Sequence, residues 1–323
     1  MAEQAGVKVQ SIKVSDFLAA GGDRLKLEVL GGKAGLSRPI GEAAINRPGL
    51  GLAGFFKHFP EQRIQVIGLA EHAYLVSLGA EERTRRSEAL FATKVPCVVF
   101  TRGKRVHPEI IAMAEKHRIA VLRTPLITKN FVNAATIIME NLAAPRQKVQ
   151  GTMVEMMGLG VMLEGSSGIG KSDTALALVR RGHSLVSDDI TALRRDTAGA
   201  IIASPVKVTQ YHMEIRGLGI IHVPSLFGVA SVREEKKLDL VVTLCARGKE
   251  PENEDGRRRS NMRTYLGVEI PQVFVSVEPG RDIANVVETA ALNMKLRRLG
   301  HDAEKELDER LMALLSDGRD ASE

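Results

Sequence analysis

The sequence predicts a two-domain α/β protein, and three observations carry that reading. The chain has 323 residues, about twice the size of a single domain. Apolar runs of strand length alternate with segments of helical period. A glycine-rich segment, Gly165-Ser166-Ser167-Gly168-Ile169-Gly170-Lys171-Ser172, joins one of those strands to one of those helices. Near Ala143–Lys148, Pro145 ends a helical pattern and a polar, basic stretch follows. The domains are therefore expected at 1–145, the smaller, and 146–323.

Taken in order, Val14–Ala20 reads as a short helix capped by Ser15 or Asp16. Leu25–Leu30 alternates with period two and reads as a strand. Asn46–Leu52 is rich in glycine but matches no phosphate fingerprint, so a plain loop is expected. Residues 61–92 are largely helical in pattern. Pro96–Phe100 is a buried strand, Pro108 opens a helix through Lys116, Ala120–Arg123 is the next strand, and Phe131–Leu142 is an amphipathic helix. In the second domain, strands are expected at Thr152–Met156, Gly160–Glu164, Ser184–Ser187, Ala200–Ala203 and Leu238–Leu244. Thr174–Arg181 is a helix ending at Gly182, which suits a C-cap. Asp282 caps a long helix that ends near Gly300, and a second helix covers about Ala303–Leu315, before a polar tail from Ser316. The charged run 246–260 has no apolar period and is expected to be a mobile loop. No repeat recurs along the chain.

Composition narrows the class. Hydrophobic residues make up 44% of the chain, enough for two full cores. Aromatic residues are 4% and Trp is absent, which argues against a base-stacking platform and so against single-stranded nucleic acid as a partner. The net charge of +6 is a mild excess that suits an acidic protein partner or phosphorylated substrates. Cys97 and Cys245 both lie in apolar runs and read as buried free thiols, with no zinc or disulfide spacing. No apolar segment follows Met1 as a signal peptide would require, and no run is long enough to span a membrane. The expectation is a soluble, cytoplasmic protein.

The chemistry concentrates at Gly165–Ser172. The spacing G-x-x-x-x-G-K-S lets backbone N–H groups turn inward around phosphate oxygens, and the following helix N-terminus adds partial positive charge. Lys171 would reach the β- and γ-phosphates, and the Ser172 hydroxyl would ligate Mg²⁺. The bland alternative is a glycine-rich turn that only joins strand to helix. Asp188-Asp189 ends the strand Ser184–Ser187. In a parallel sheet that end faces the rim of the loop, where one carboxylate can hold metal and a second can accept a proton; the alternative is a pair of turn caps. Met213–His222 sets Glu214 and Arg216 beside two glycines. They read as a metal-seeking and a phosphate-seeking side chain, or as a surface ion pair on a turn.

Together these residues resemble a known family. Glu214-Ile-Arg-Gly-Leu-Gly-Ile-Ile221, placed after the loop and after Arg181-Gly-His-Ser-Leu-Val-Ser-Asp-Asp189, closely resembles HPr kinase/phosphorylase. The resemblance covers nearly the whole chain, most specifically Val149–Gly300. It implies a C-terminal phosphate-loop kinase domain, with ATP or pyrophosphate as donor and a serine of the phosphocarrier protein HPr as acceptor. It also implies phosphorolytic reversal and a homohexamer built around the C-terminal domains. It gives Gly165–Ser172 the phosphates, Lys171 the charge of the transferring group, and Ser172 and Glu214 the Mg²⁺. Asp189 becomes general base and, in reverse, general acid. Arg216 belongs to the signature near the phosphates. Ser276–Arg281 matches the segment used chiefly for dephosphorylation.

Three departures from the family pattern stand out. Gln150-Gly151 stands where His-Gly is usual. The usual Pro-Val-x-Pro-Gly-Arg appears with Ser276 and Glu278, the latter acidic where a basic residue is common. The mobile-loop arginine has no single match, since register lands on Asp255 while Arg257, Arg258 and Arg259 are adjacent; Arg257 is taken as the candidate. Two other readings stay open: a kinase for a small hydroxyl compound such as free serine, and a nucleotide-binding regulatory module without transfer activity.

Overall fold

A computed structural model describes residues 11–249 and 261–317. The chain separates between Ala144 and Pro145 into two compact units.

The first unit is a five-stranded sheet in the order Glu28–Gly31, Ala120–Arg123, Cys97–Phe100, Ile64–Ile67, Ile45–Asn46. The last four strands run parallel, and Glu28–Gly31 is antiparallel. Fully buried runs such as Cys-Val-Val-Phe fit a sheet covered on both faces. One face packs Phe17, Phe131 and Met139 against Ile64, Val66, Val99 and Leu122. The other packs Leu90, Phe91, Ile110 and Ala114 against Ile67, Val98 and Val121.

Several expectations are corrected here. The first helix covers Val14–Leu25 and takes Leu25 from the expected strand, which begins at Glu28. Neither Ser15 nor Asp16 is its N-cap. Lys13 holds that place, and Asp16 reaches back to accept its backbone N–H at 2.9 Å. Residues 61–92 contain a strand, Ile64–Ile67, before the helices Leu69–Ser77 and Ala80–Ala92. Its four buried positions carry no alternation, so period alone did not separate it from a helix. Gly49–Leu52 is one helical turn. Cys97 is fully buried, which pushes its thiol up to about 12, so it stays protonated. Cys245, expected buried, is only partly so.

The second unit has three layers. A six-stranded sheet runs in the order Ser184–Ser187, Thr152–Met156, Leu159–Glu164, Leu240–Ala246, Val268–Val277, Asn261–Tyr265. The helices Lys171–Arg180 and Ile283–Arg298 cover one face, through Ala175, Leu178, Val287 and Ala291. A four-stranded antiparallel sheet, Lys236–Lys237, Ile201–Pro205, Ile190–Arg195 and Arg146–Gln150, covers the other. Met153, Met162 and Val241 meet Leu193, Ile201 and Ala203 between the sheets. Asp282 does cap the long helix, accepting the Asn285 N–H at 3.1 Å. Among the described residues, no helix is long and apolar enough to cross a membrane.

The second sheet was not foreseen. Arg146–Gln150 and Ile190–Arg195 are rich in Arg, Lys and Gln, because each turns only one face to the core. The expected parallel relation of Ser184–Ser187 to the loop strand is also indirect. Both pair antiparallel to Thr152–Met156, which lies between them. Two reversals restore one direction, so the carboxyl ends of both strands share a rim.

Candidate active site

Leu159–Glu164 is buried throughout and parallel to Leu240–Ala246, so it delivers the following loop to a fixed point on the sheet rim. The loop bends at Gly165, with φ +143°; a methyl group there would come within 2.6 Å of the Leu244 carbonyl oxygen. Gly168, at φ +78°, lies under Arg216, and a methyl group would stand 3.2 Å from Nη2. Glycine at these two positions therefore reflects space as well as backbone conformation. Ile169 anchors the loop by packing on the core. The helix starts at Lys171, with Gly170 before it. Lys171 Nζ donates to the carbonyls of Gly165 at 3.0 Å and Ser166 at 3.1 Å, closing the loop on its own lysine.

Asp188 is the hub. Its Oδ1 accepts from the Thr152 hydroxyl at 2.8 Å and from the Ser172 hydroxyl at 3.0 Å. Its Oδ2 accepts the Glu214 backbone N–H at 3.3 Å. One buried carboxylate thus ties the start of the loop helix to strands Thr152–Met156 and His212–Ile215. Sequence reading assigned the adjacent pair to the site but gave no separate role to Asp188. The missed signal is the Ser187-Asp188 strand end, where a buried position coincides with a carboxylate.

Asp189 behaves differently because of its backbone. At φ +59° it is in the left-handed region, which Asp enters more readily than most residues. There the chain leaves one sheet and enters the other, so Asp188 is buried and Asp189 exposed. The Asp189 carbonyl accepts the Gly151 N–H at 2.8 Å, and Gln150 pairs with Ile190. Gln150 is therefore beside the pair on the adjacent strand.

Met213–His222 is a hairpin, with His212–Ile215 paired to Gly219–His222. It carries Arg216 at its turn, over the loop, and sets the backbone N–H of Glu214 against Asp188. Arg257 lies outside the described residues, as does most of the 246–260 run. Ser276–Arg281 continues the strand Val268–Val277, and Glu278 lies 3.8 Å from Arg247. No group of three or more His, Cys, Asp or Glu among the described residues is arranged to hold a metal. The oxygens brought together are those of Ser172 and Asp188, hard donors; Glu214 meets Asp188 through its backbone N–H, and its side chain is exposed.

Asp188→Ala removes the acceptor of the fully buried Thr152 hydroxyl. It is expected to destabilise the second unit by about 1–3 kcal/mol. The check is a shift of the urea midpoint with an unchanged slope.

A strand, a glycine-rich loop closed on its lysine, a helix and a carboxylate on that helix's first hydroxyl meet at one rim of the sheet. Comparison with known proteins is specific about its class. Residues 141–311 match the HPr Serine kinase C-terminal domain, and residues 12–139 match the HPr Serine kinase N terminus. An HPr kinase/phosphorylase from Leptospira biflexa is 39% identical over 90% of this chain and 90% of its own. One from Bacillus licheniformis is 36% identical over 92% of this chain and 96% of its own. The solved Hpr(Ser) kinase/phosphatase from Coxiella burnetii is 31% identical, with a TM-score of 0.46, over 50% of this chain and 98% of that one. The chain belongs to the HPr kinase/phosphorylase family.

Proposed function

We propose that the protein is a serine kinase/phosphorylase acting on the phosphocarrier protein HPr, with its transfer site at Gly165–Ser172. The observation that carries this is Asp188 at the mouth of a loop closed by Lys171, holding the Ser172 hydroxyl and the Glu214 backbone N–H. The loop would hold the phosphates of ATP or pyrophosphate. Lys171 would exchange its two loop carbonyls for phosphate oxygens and offset their charge. Ser172 and Glu214 would hold Mg²⁺, with Asp188 orienting the Ser172 hydroxyl; the nucleotide and water would complete a shell that few protein ligands supply. Bound Mg²⁺ would neutralise charge on the phosphates.

Asp189 would accept the proton of the attacking serine hydroxyl and return one in reverse. Its exposure supports a macromolecular acceptor, which a buried base could not reach. Arg216 over the loop supports a role in holding phosphate, and Arg257 is proposed as the arginine of the adjoining loop. We assign 1–145 and 146–323 as the two domains, with the loop and Asp189 in the second. A homohexamer is proposed from the family resemblance, and exposed Leu218, Ile220, Leu226 and Val229 leave apolar side chains on that unit for contacts between copies.

The test is transfer of labelled γ-phosphoryl from ATP to purified HPr, with free serine as a parallel acceptor. Label in HPr is expected. Label in free serine would favour a small-molecule kinase, and none would favour a regulatory module.

Direction is a further expected outcome. Phosphorolysis must bring free phosphate beside phosphoserine, so two anions meet. Glu278 adds negative charge that its exposed partner Arg247 screens little. That should oppose the reverse reaction by roughly 1 kcal/mol, while Gln150, beside the Asp pair, carries no titratable proton. Pyrophosphate release from serine-phosphorylated HPr is therefore expected to be slow relative to kinase turnover. Gln150→His with Glu278→Arg is expected to raise it selectively. Release matching the kinase rate in the unmodified protein would contradict this.

A further inference from the structure

Glu164 is the last residue of the loop strand and directly precedes Gly165. Its side chain is only 11% exposed. A carboxylate so close to an anion cradle, and so poorly screened, opposes the charge that the cradle must accept. The fold answers it from the far edge of the sheet. Strand Asn261–Tyr265 lies two strands beyond the loop strand's neighbour on the order of the sheet, counting itself. It sends two side chains back to Glu164.

The Tyr265 hydroxyl donates to Glu164 Oε1. Burial, and then this hydrogen bond, raises the Tyr265 hydroxyl well above its ordinary range, so it remains a donor. Arg263 approaches edge-on, with Nε 3.2 Å from Oε2 and Nη2 3.4 Å from Oε1. Its guanidinium carbon lies 5.7 Å from the Tyr265 ring centroid, which fixes the plane of the fork. Of these two side chains, Arg263 brings the countercharge, because Tyr265 is neutral.

We propose that Arg263 cancels the charge of Glu164 and so sets how tightly the loop holds the phosphates of its polyphosphate donor. The proposal rests on the reading of Gly165–Ser172 as the phosphate loop. Arg263 acts through Glu164, so it is a positioning residue whose effect vanishes when Glu164 loses its charge. A direct phosphate ligand would behave otherwise.

The experiment is calorimetric titration of the full chain with Mg·ATP and with Mg·pyrophosphate. Arg263→Met is expected to weaken both by about 10-fold, since it leaves a buried carboxylate with the Tyr265 hydrogen bond but no countercharge beside the loop. Arg263→Lys keeps the charge and is expected to remain within about 3-fold of wild type. Glu164→Gln/Arg263→Met is expected to return to that same range. Thermal unfolding accompanies each variant. Should Arg263→Met not fold, Glu164→Gln alone decides, with binding expected to tighten by about 3-fold; unchanged binding overturns the proposal. A double variant as weak as Arg263→Met overturns it as well. Lys171→Ala separates the two ways of failing. If it binds like wild type, the loop assignment is wrong and the proposal falls with it. If it loses binding while Arg263→Met does not, the charge pair alone is refuted.

Discussion

Asp189→Asn is expected to reduce phosphoryl transfer to HPr by roughly 10²–10⁴-fold, while donor binding changes little. Asn keeps the shape of the side chain and, like Asp, tolerates the left-handed backbone that this position requires at φ +59°. It cannot take up a proton. The side chain is exposed, and it is the backbone carbonyl that holds Gly151, so the fold should survive. Glu214→Gln makes a useful contrast. It would weaken the metal ligand proposed for this position and should raise the Mg²⁺ concentration needed for half-maximal rate. If Asp189→Asn shows only that metal effect, the two roles are exchanged. The measurements are single-turnover rates and a Mg²⁺ titration for each variant.

Lys171→Ala is expected to lower the transfer rate by about 10²-fold or more, the usual consequence of removing a preorganised charge. The ammonium is partly exposed and, among the described residues, donates to two carbonyls of its own loop, so its loss should leave the cores intact. Circular dichroism and the urea midpoint should match wild type. Retention of most of the rate would refute the loop assignment, and unfolding would mean that the two carbonyl contacts are structural.

Where the residues carry their own signal, sequence and structure agree closely. Thr152–Met156, Ser184–Ser187 and Ala120–Arg123 are apolar and short, and their bounds match. The loop is legible because its glycines and Lys171 are constrained by local geometry. Strands with one wet face were not legible. Arg146–Gln150 looks like a linker until the second sheet gives its Val149 a core to face. The site was half legible for a similar reason. Asp188 and Asp189 are indistinguishable as letters. What separates them is a left-handed turn between two sheets and three donors from Thr152, Ser172 and Glu214, residues far apart along the chain. The Glu164–Arg263 contact is beyond sequence reading, since it depends on how an edge strand folds back across the sheet.

The most direct measurement is mass spectrometry of HPr after incubation with the protein, ATP and Mg²⁺, alongside the Lys171→Ala and Asp189→Asn variants. The expected result is one phosphate on one HPr serine with the unmodified protein, and almost none with either variant. Unmodified HPr in every sample, or a phosphate that persists undiminished in both variants, would contradict the account.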